Sequence, residues 1–266
     1  DDACPTTLLG DVVSLADRLD TLVGFFAVNL RPTSSKDPFA LRRAALGIIR
    51  ILEHKYDLPL MPLFEKAYDL YGDILKGEDV ATSRQTTQAL QEFFFDRLKV
   101  YWRDQGFSHD IMASALEVAG VDSLKRLRAR MNALKIFLMG QDDAGRNLLA
   151  AYTRASNIVR IESQKDGCIY SREGLTPAAF VLPEEKALYK AIEAVETPLK
   201  DALMGGDYVR TMVLLAGLRD SVDDYFNQVT VNVAESDLRR NRLMTLAYLK
   251  DIMESVADFS KIEEIK

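Results

Sequence analysis

The stretch SKDPFALRRAALGIIRIL, residues 35–52, carries the clearest helical pattern in the chain. Asp37 is a good N-cap residue and Pro38 suits the first helical position, so we predict that a helix begins here. Apolar residues then recur at helical spacing and form one face, made of Leu41, Ala45, Ile48, Ile49 and Leu52. The pattern predicts a helix that packs by one side against its neighbours.

Arg42, Arg43 and Arg50 lie off that apolar face, and two interpretations of them stay open. The simpler one is ion pairing with acidic residues earlier in the chain, such as Asp11, Asp17 or Asp20. The other is contact with phosphate through Arg42 and Arg43. The spacing alone does not choose between them.

Helical periodicity extends over most of the chain and predicts an all-α fold, a multi-helix bundle. The predicted helices lie at about 8–26, 38–52, 63–75, 84–105, 108–119, 123–138, 146–161, 183–204, 207–228 and 236–259. A polar linker, residues 163–182, either folds over a ligand or is loose, and Val229, Val231 and Val233 form a brief extended connector. No pattern typical of a sheet is present.

The composition is that of a globular protein, with 266 residues of which 48% are hydrophobic and 28% charged. The longest apolar runs are too short to span a membrane, and the acidic N-terminus does not resemble a secretory signal. Cys4 and Cys168 match no metal-binding spacing, so we expect free thiols in a reducing cytoplasm.

The net charge of −6 argues against general coating of nucleic acid, so any RNA contact must use local basic patches. The most cationic run has no acidic residue among its members, which are Lys125, Arg126, Arg128, Arg130 and Lys135. A solvated helix face is one interpretation. The other is a stripe along an RNA backbone, with Arg126 and Arg130 as possible phosphate contacts.

A longer segment around the opening stretch carries a resemblance to a known family. DRLDTLVGFFAVNLRPTSSKDPFALRRAALGIIRIL, residues 17–52, resembles a signature of bacterial glycyl-tRNA synthetase beta subunits, although Ser34 stands where glycine is more usual. Four further blocks follow in the family's order: FDRLKVYWRDQGFSHDIMASAL, AYTRASNIVRI, DDYFNQVTVNV and LRRNRLMTLAYL. The resemblance therefore covers nearly the whole chain.

The resemblance implies a domain organisation. Residues 1–78 would be the C-terminal helices of an HD-type domain, residues 79–140 a helical connecting region, and residues 141–266 a helical anticodon-binding domain. Because the chain starts at Asp1 rather than Met, and deep inside the family pattern, we expect it to be an excised C-terminal portion.

The resemblance also implies a function. The chain would be the tRNA-recognition portion of a glycine–tRNA ligase, holding tRNA(Gly) for glycylation by a partner alpha subunit in a heterotetramer of two alpha and two beta subunits. ATP and Mg would act at the alpha subunit, so we expect no cofactor in this chain, and neither DNA nor membrane as a partner. The alternative is a helical scaffold that only docks the partner subunit.

We predict no catalytic residue and no metal site in this chain. It has no glycine-rich phosphate cradle, no GxSxG motif and no zinc-spaced Cys or His set. In active HD-type domains a late aspartate joins histidines at a metal, but the histidine partners of Asp17 and Asp20 are missing here. These carboxylates are predicted to pair with Arg18, Arg42 or Arg43.

Candidate RNA-binding residues lie in the C-terminal part. They are transferred by domain match and polarity, and they comprise Arg146, Arg154, Asn157, Arg160, Lys165, Arg239 and Arg242. Tyr225 and Phe226 are candidates for stacking on bases, with buried packing expected for at least one of them. Trp102 is open to the same two interpretations, and its helical spacing favours the core.

Overall fold

The computed structural model describes residues 4–33, 35–77, 79–119, 123–140 and 143–263. Within these ranges the α-helices are α1 (Leu8–Ala27), α2 (Leu41–Lys55), α3 (Leu60–Leu70), α4 (Ser83–Asp104), α5 (His109–Ala119), α6 (Leu124–Met139), α7 (Ala144–Asp166), α8 (Pro183–Gly205), α9 (Tyr208–Ala216), α10 (Arg219–Gln228) and α11 (Ser236–Glu254). The described residues contain no strand, only an isolated bridge between Pro59 and Ser123. The all-α prediction is confirmed.

The chain divides into two compact units. The first comprises Asp1–His109 with Ala119–Arg128, and the second comprises Asp110–Val118 with Ala129–Lys266. The division into residues 1–78, 79–140 and 141–266 stays a prediction. Ser34 lies outside the described residues, as do Gly120, a candidate helix stop, and Asp122 and Asp142, which are candidate N-caps by residue type.

The core of the first unit forms where α1 packs against α2, α3 and α4. The residues that fill it are at most 2% exposed and include Leu22, Val23, Phe26, Ile48, Ile49, Leu52, Phe64 and Phe94. The whole predicted apolar face of α2 is buried. Helical spacing places Val12 on the same side of α1 as Leu22 and Phe26, but Val12 is 54% exposed whereas those two residues are buried.

The start of α2 differs from the prediction. The helix begins at Leu41, three residues after Pro38, and Ala40 takes a left-handed conformation before it. Asp37 still caps the helix from outside, since its two carboxylate oxygens accept hydrogen bonds from the backbone N–H groups of Leu41 (2.9 Å) and Arg42 (3.0 Å). The capping residue was therefore identified correctly, but the helix boundary was not.

Trp102 belongs to the core of the first unit. It is fully buried, and its indole N–H donates to Glu53 Oε1 at 2.5 Å. The same oxygen accepts from the Arg128 guanidinium at 2.7 Å. Glu53 is itself buried, so the Arg128 charge offsets part of the cost of burying this carboxylate, while its second oxygen, Oε2, is buried without a hydrogen-bond partner among the described residues. This contact occupies Arg128, a member of the predicted cationic run.

The second unit is arranged around α11, which packs against α7 and α8. Every residue from 241 to 249 of α11 is buried, although its sequence includes Asn241, Arg242 and Thr245. The predicted helix 207–228 is interrupted, because α9 ends at Ala216 and α10 begins at Arg219. Gly217 lies at the break, where its low helix propensity, about 1 kcal/mol worse than alanine, favours a turn.

The predicted linker is shorter than expected and is ordered. Helix α7 continues to Asp166, so the linker runs from residue 167 to residue 182. Thr176 and Asn241 tie it to α11, since the Thr176 N–H donates to the Asn241 side chain at 2.9 Å and the Asn241 amide donates back to the Thr176 carbonyl at 3.2 Å. Tyr170 and Phe180 anchor its two ends by burial. The linker is therefore not loose.

We expect Asp37→Ala to lower the free energy of unfolding by about 1 kcal/mol, because it removes the acceptor of two helix-terminal N–H groups. Asp37→Asn should lose less, since its amide oxygen still accepts from one of them. Chemical denaturation followed by circular dichroism measures both changes. Equal losses in the two variants would show that capping by an oxygen acceptor is not the stabilising interaction.

Candidate nucleic-acid interface

One face of α7 combines cations and amides without acidic partners. Arg154, Asn157 and Arg160 are all exposed there. Within the described residues no carboxylate lies within ion-pairing distance of either arginine. The opposite side of the helix is buried and consists of Leu148, Leu149, Tyr152, Ala155 and Val159, whereas Ile158, on the same predicted face, is only partly buried. The packing of α7 thus fixes the three polar side chains on the solvent side.

The acids of α7 do not neutralise this face, because they turn towards α11. Glu162 is buried, and Asp166 lies one turn further along. Both carboxylates form ion pairs with Arg239, the one to Asp166 at 2.7 Å. The arginines on the exposed face therefore have no acidic partner among the described residues of the second unit.

Arg154 also borders a surface depression. Its guanidinium carbon lies 4.5 Å from the centroid of the Phe226 ring, a cation–π contact. The depression has a volume of about 340 Å³ and is lined by Arg154, Ile158 and residues 226–232. Tyr225 is fully buried whereas Phe226 is partly exposed, so one of the two predicted stacking candidates remains accessible.

The structure places Arg239 inside an ion-pair network rather than on an open surface. It contacts Glu162, Asp166 and the side-chain oxygen of Asn232, the last at 3.3 Å. The hydrogen bond from Arg239 lowers the pKa of Glu162, and bonds from Tyr170 and then Arg239 lower that of Asp166. The two acids in turn raise the pKa of Arg239. This arginine joins α11 to α7.

Arg242 is buried, with 4% of its surface exposed. Its Nε donates to Glu185 Oε1 at 2.5 Å, and its Nη1 donates to the Thr230 carbonyl at 2.7 Å. The side chain therefore supports the wall of the depression from behind and does not face solvent. Sequence polarity alone could not reveal this, because Glu185 lies 57 residues away.

The remaining candidates of the second unit have carboxylate partners. Arg146 pairs with Asp143 at the start of α7, and Lys165 lies 3.6 Å from Glu162. Both cations are exposed. Their local pairing makes them weaker centres of positive charge than Arg154 and Arg160.

In the first unit the predicted ion pairs of Arg42 and Arg43 are absent among the described residues. Arg42 donates to the Thr33 carbonyl, and Arg43 is exposed with no carboxylate partner in the described part. Asp11 instead accepts from Lys55 and Tyr56, at 2.8 Å and 2.7 Å. The predicted pairing was wrong, because α1 and α2 bring the end of α2, not its start, to Asp11.

Asp17 and Asp20 are exposed on α1 and do not pair with an arginine in the described residues. Arg18, their predicted partner, donates to the Ser14 hydroxyl instead. No group of three or more His, Cys, Asp or Glu in the described ranges could hold a metal ion. No described helix is long and apolar enough to cross a membrane.

The cationic run on α6 does not form a free stripe. Arg126 pairs with Asp57 at 2.7 Å. Arg130 is buried in the second unit, where it donates to the Val256 carbonyl at 2.9 Å and lies 5.0 Å from the Tyr208 ring centroid. Both guanidinium groups are engaged within the protein, which favours a structural interpretation over contact with phosphate.

Sequence reasoning missed two amide side chains of the site. Asn227 and Gln228 line the depression, are exposed, and have no hydrogen-bond partner among the described residues. They lie in the block DDYFNQVTVNV that carried part of the resemblance. The resemblance therefore included this segment, but polarity alone did not distinguish Asn227 and Gln228 from ordinary loop residues.

Comparison with known families defines the class of protein. Residues 148–265 match the DALR anticodon binding domain, and residues 1–117 match the glycyl-tRNA synthetase beta subunit. The first match contains the exposed α7 face and the whole depression. The part of the chain where the candidate site lies is therefore similar to an anticodon-binding domain.

Curated relatives are similar to nearly the whole of this chain. The glycine–tRNA ligase beta subunit of Rhodospirillum centenum is 43% identical over 263 residues, which is 98% of this chain and 36% of that protein. Those of Ruegeria sp. strain TM1040 and Cereibacter sphaeroides are each 40% identical over 98% of this chain, and it covers 36% and 37% of them. The chain is thus similar over nearly its whole length to glycyl-tRNA synthetase beta subunits, and it spans little more than a third of these relatives' length.

The Arg239 network predicts a specific pH dependence of stability. Because the folded-state pKa values of Glu162 and Asp166 lie below their ordinary values of 4.5 and 3.8, both carboxylates stabilise the fold above about pH 4.5 and lose this contribution as the pH falls. Arg239→Gln should therefore be less stable than the parent at pH 6, with a difference that shrinks towards pH 3 in urea denaturation.

The matched control is Arg240→Gln, which removes an exposed charge from the neighbouring position. Its effect on the free energy of unfolding should be small and should not vary with pH. If the difference between Arg239→Gln and the parent stayed constant from pH 6 to pH 3, the network would not be electrostatic in origin.

Proposed function

We propose that this chain is the tRNA-recognition portion of a glycine–tRNA ligase beta subunit. It holds tRNA(Gly) so that the acceptor end reaches the alpha subunit, which activates glycine with ATP and Mg and transfers it in the cytoplasm. The relatives' names and the anticodon-binding match support this role. The assembly is a heterotetramer of two alpha and two beta subunits.

The proposal rests on one observation, the exposed face of α7. Arg154 and Arg160 project without acidic partners in the described residues, and Asn157 lies between them in sequence. Guanidinium groups suit phosphate because they present several donors in a planar fork, and each neutralised phosphate releases counterions. An acidic protein can bind RNA if its basic groups are concentrated on one surface.

Helix α8 provides a contrast within the same unit. Its exposed lysines, Lys186, Lys190 and Lys200, are interspersed with acids, of which Glu193 is exposed and Glu184 and Glu196 are partly buried. Such mixed surfaces have little net field. The difference between α7 and α8 supports assigning RNA to α7.

Subunit docking is the second candidate function, and one observation favours it for the first unit. The first half of α1 exposes four apolar side chains, each between 54% and 75% exposed: Leu8, Leu9, Val12 and Val13. A contiguous apolar helix face of this kind is typical of a protein contact. Docking through α1 and RNA binding through α7 are compatible, because they use different units.

Arg160→Gln should weaken binding of tRNA(Gly) and reduce the slope of log affinity against log salt concentration by about 1, because one phosphate contact is lost. Fluorescence anisotropy with labelled tRNA at several salt concentrations measures both. Lys190→Gln, an equal change of charge on α8, should leave affinity and slope nearly unchanged. Equal effects of the two variants would point to non-specific attraction.

The triple variant Arg154→Ala, Asn157→Ala, Arg160→Ala separates the two candidate functions. RNA recognition through α7 predicts a large loss of tRNA affinity with unchanged binding of the alpha subunit. The opposite result, unchanged tRNA affinity with lost subunit binding, would favour a scaffold that only docks its partner.

The division of labour makes a further prediction. The isolated chain should show no glycine-dependent ATP–pyrophosphate exchange, because the family resemblance assigns amino-acid activation to the alpha subunit. The assembled enzyme, assayed in parallel, is the positive control. Exchange by the isolated chain would refute the assignment.

A further inference from the structure

We infer that the depression beside Phe226 receives one unpaired nucleobase of the bound RNA. The inference rests on the proposed function and deepens it, since it assigns a base, not only a phosphate backbone, to a defined place. Three features of the depression carry it: a stacking surface, unpartnered amides and walls held by buried contacts.

The stacking surface is formed by Arg154 and Phe226. The guanidinium lies over the ring at 4.5 Å, and Tyr225 packs edge-on against the same ring, with centroids 5.9 Å apart and an interplanar angle of 86°. Tyr225 is fully buried, so it fixes the orientation of Phe226 from the core side. Unpaired bases stack on aromatic rings and on arginine planes, and both are present here.

The amides supply the means to recognise the edge of a base. Asn227 and Gln228 line the depression and have no hydrogen-bond partner in the described part of the chain. Each amide offers two donor hydrogens and an acceptor oxygen, which is the combination needed to pair with the edge of a base. Two exposed amides beside a stacking surface are therefore suited to a nucleobase.

The walls of the depression are held in place. Arg242 donates to the Thr230 carbonyl from below, and the Asn232 amide donates to Glu162 on α7 at 3.2 Å. Val229 and Val231 are buried and anchor the intervening segment. A preformed site loses less conformational entropy when a ligand binds, so this loop is better suited to recognition than a mobile one.

Size and charge favour a base over other occupants. The volume of about 340 Å³ lies near the lower end of the range of about 300 to 1,000 Å³ found for small-ligand sites. Among the lining residues Arg154 is the single cation and none is acidic. A phosphate would draw on several cations and a docked peptide on a larger apolar surface, whereas a planar, polar-edged ring fits what is present.

The test uses RNA hairpins with the anticodon stem and loop of tRNA(Gly), in which one loop nucleotide at a time is made abasic. For the parent chain we expect one loop position whose abasic form binds about tenfold more weakly, because a stacked base is lost. Phe226→Leu should weaken the intact hairpin by a similar factor. For the Phe226→Leu variant, making that loop nucleotide abasic should cause no further loss of affinity, because the stacking contact is already missing.

Two further variants test which side chains recognise the edge of the base. Asn227→Ala and Gln228→Ala alter exposed side chains without internal partners, so they should fold normally. At the loop position whose abasic penalty depends on Phe226, each variant should reduce the preference for the native base over the other three. Circular dichroism and thermal unfolding confirm that each variant, Phe226→Leu included, is folded.

The control is Tyr189→Leu, which changes a partly buried aromatic residue of α8 away from the depression. It should keep the parent's abasic penalty at every position. Phe226→Leu should keep the salt slope of the parent, in contrast to Arg160→Gln, because it removes no charge.

The outcomes distinguish the inference from the proposed function. If the parent chain bound the hairpin with a salt-dependent affinity but no abasic penalty depended on Phe226, the base site would be overturned and RNA binding by α7 would stand. If the parent bound neither the hairpin nor tRNA, the proposed function would fail and the inference with it. Binding of a protein segment in the depression would appear as Phe226-dependent association of the alpha subunit, and would also overturn it.

Discussion

The second unit depends on one buried ion pair, between Arg242 and Glu185. Glu185 is fully buried, and its second oxygen accepts from the backbone N–H groups of Val181 (2.8 Å) and Leu182 (2.7 Å) while the first holds Arg242. One carboxylate thus joins the end of the linker, the start of α8 and the middle of α11. Removing one member of such a pair typically costs about 3–5 kcal/mol, because the other is left buried and charged.

This pair also decides which arginines remain for a ligand. Arg242 is committed to Glu185 and to the Thr230 carbonyl, and Arg239 is committed to the acids of α7. Helix α11 therefore uses its positive charge for internal structure. The acidic residues of α7, Glu162 and Asp166, therefore pair with Arg239 of α11. The outer face of α7 keeps Arg154 and Arg160 without an acidic partner among the described residues.

The sequence predicted the helical class, most of the helices and their buried faces, because helical periodicity is a local signal. It did not predict the partners of the cations, because those partners are distant in the chain. Arg239 lies 77 residues from Glu162, and Arg126 lies 69 residues from Asp57. Arg154 and Arg160 stay exposed and unpaired among the described residues. The acidic residues of the same helix, Glu162 and Asp166, pair instead with Arg239 on α11.

An acidic net charge is compatible with the proposed binding of RNA because of where the unpaired charges lie. Net charge sums over groups that the fold has already paired, whereas an RNA strand responds to the groups within about a Debye length, some 8 Å at physiological salt. On α7 those groups are two arginines, an asparagine and the edge of the Phe226 depression. In the proposed mode of binding, this surface attracts a single strand through its phosphates and orients it through a base, so affinity and recognition come from different side chains of the same helix and loop.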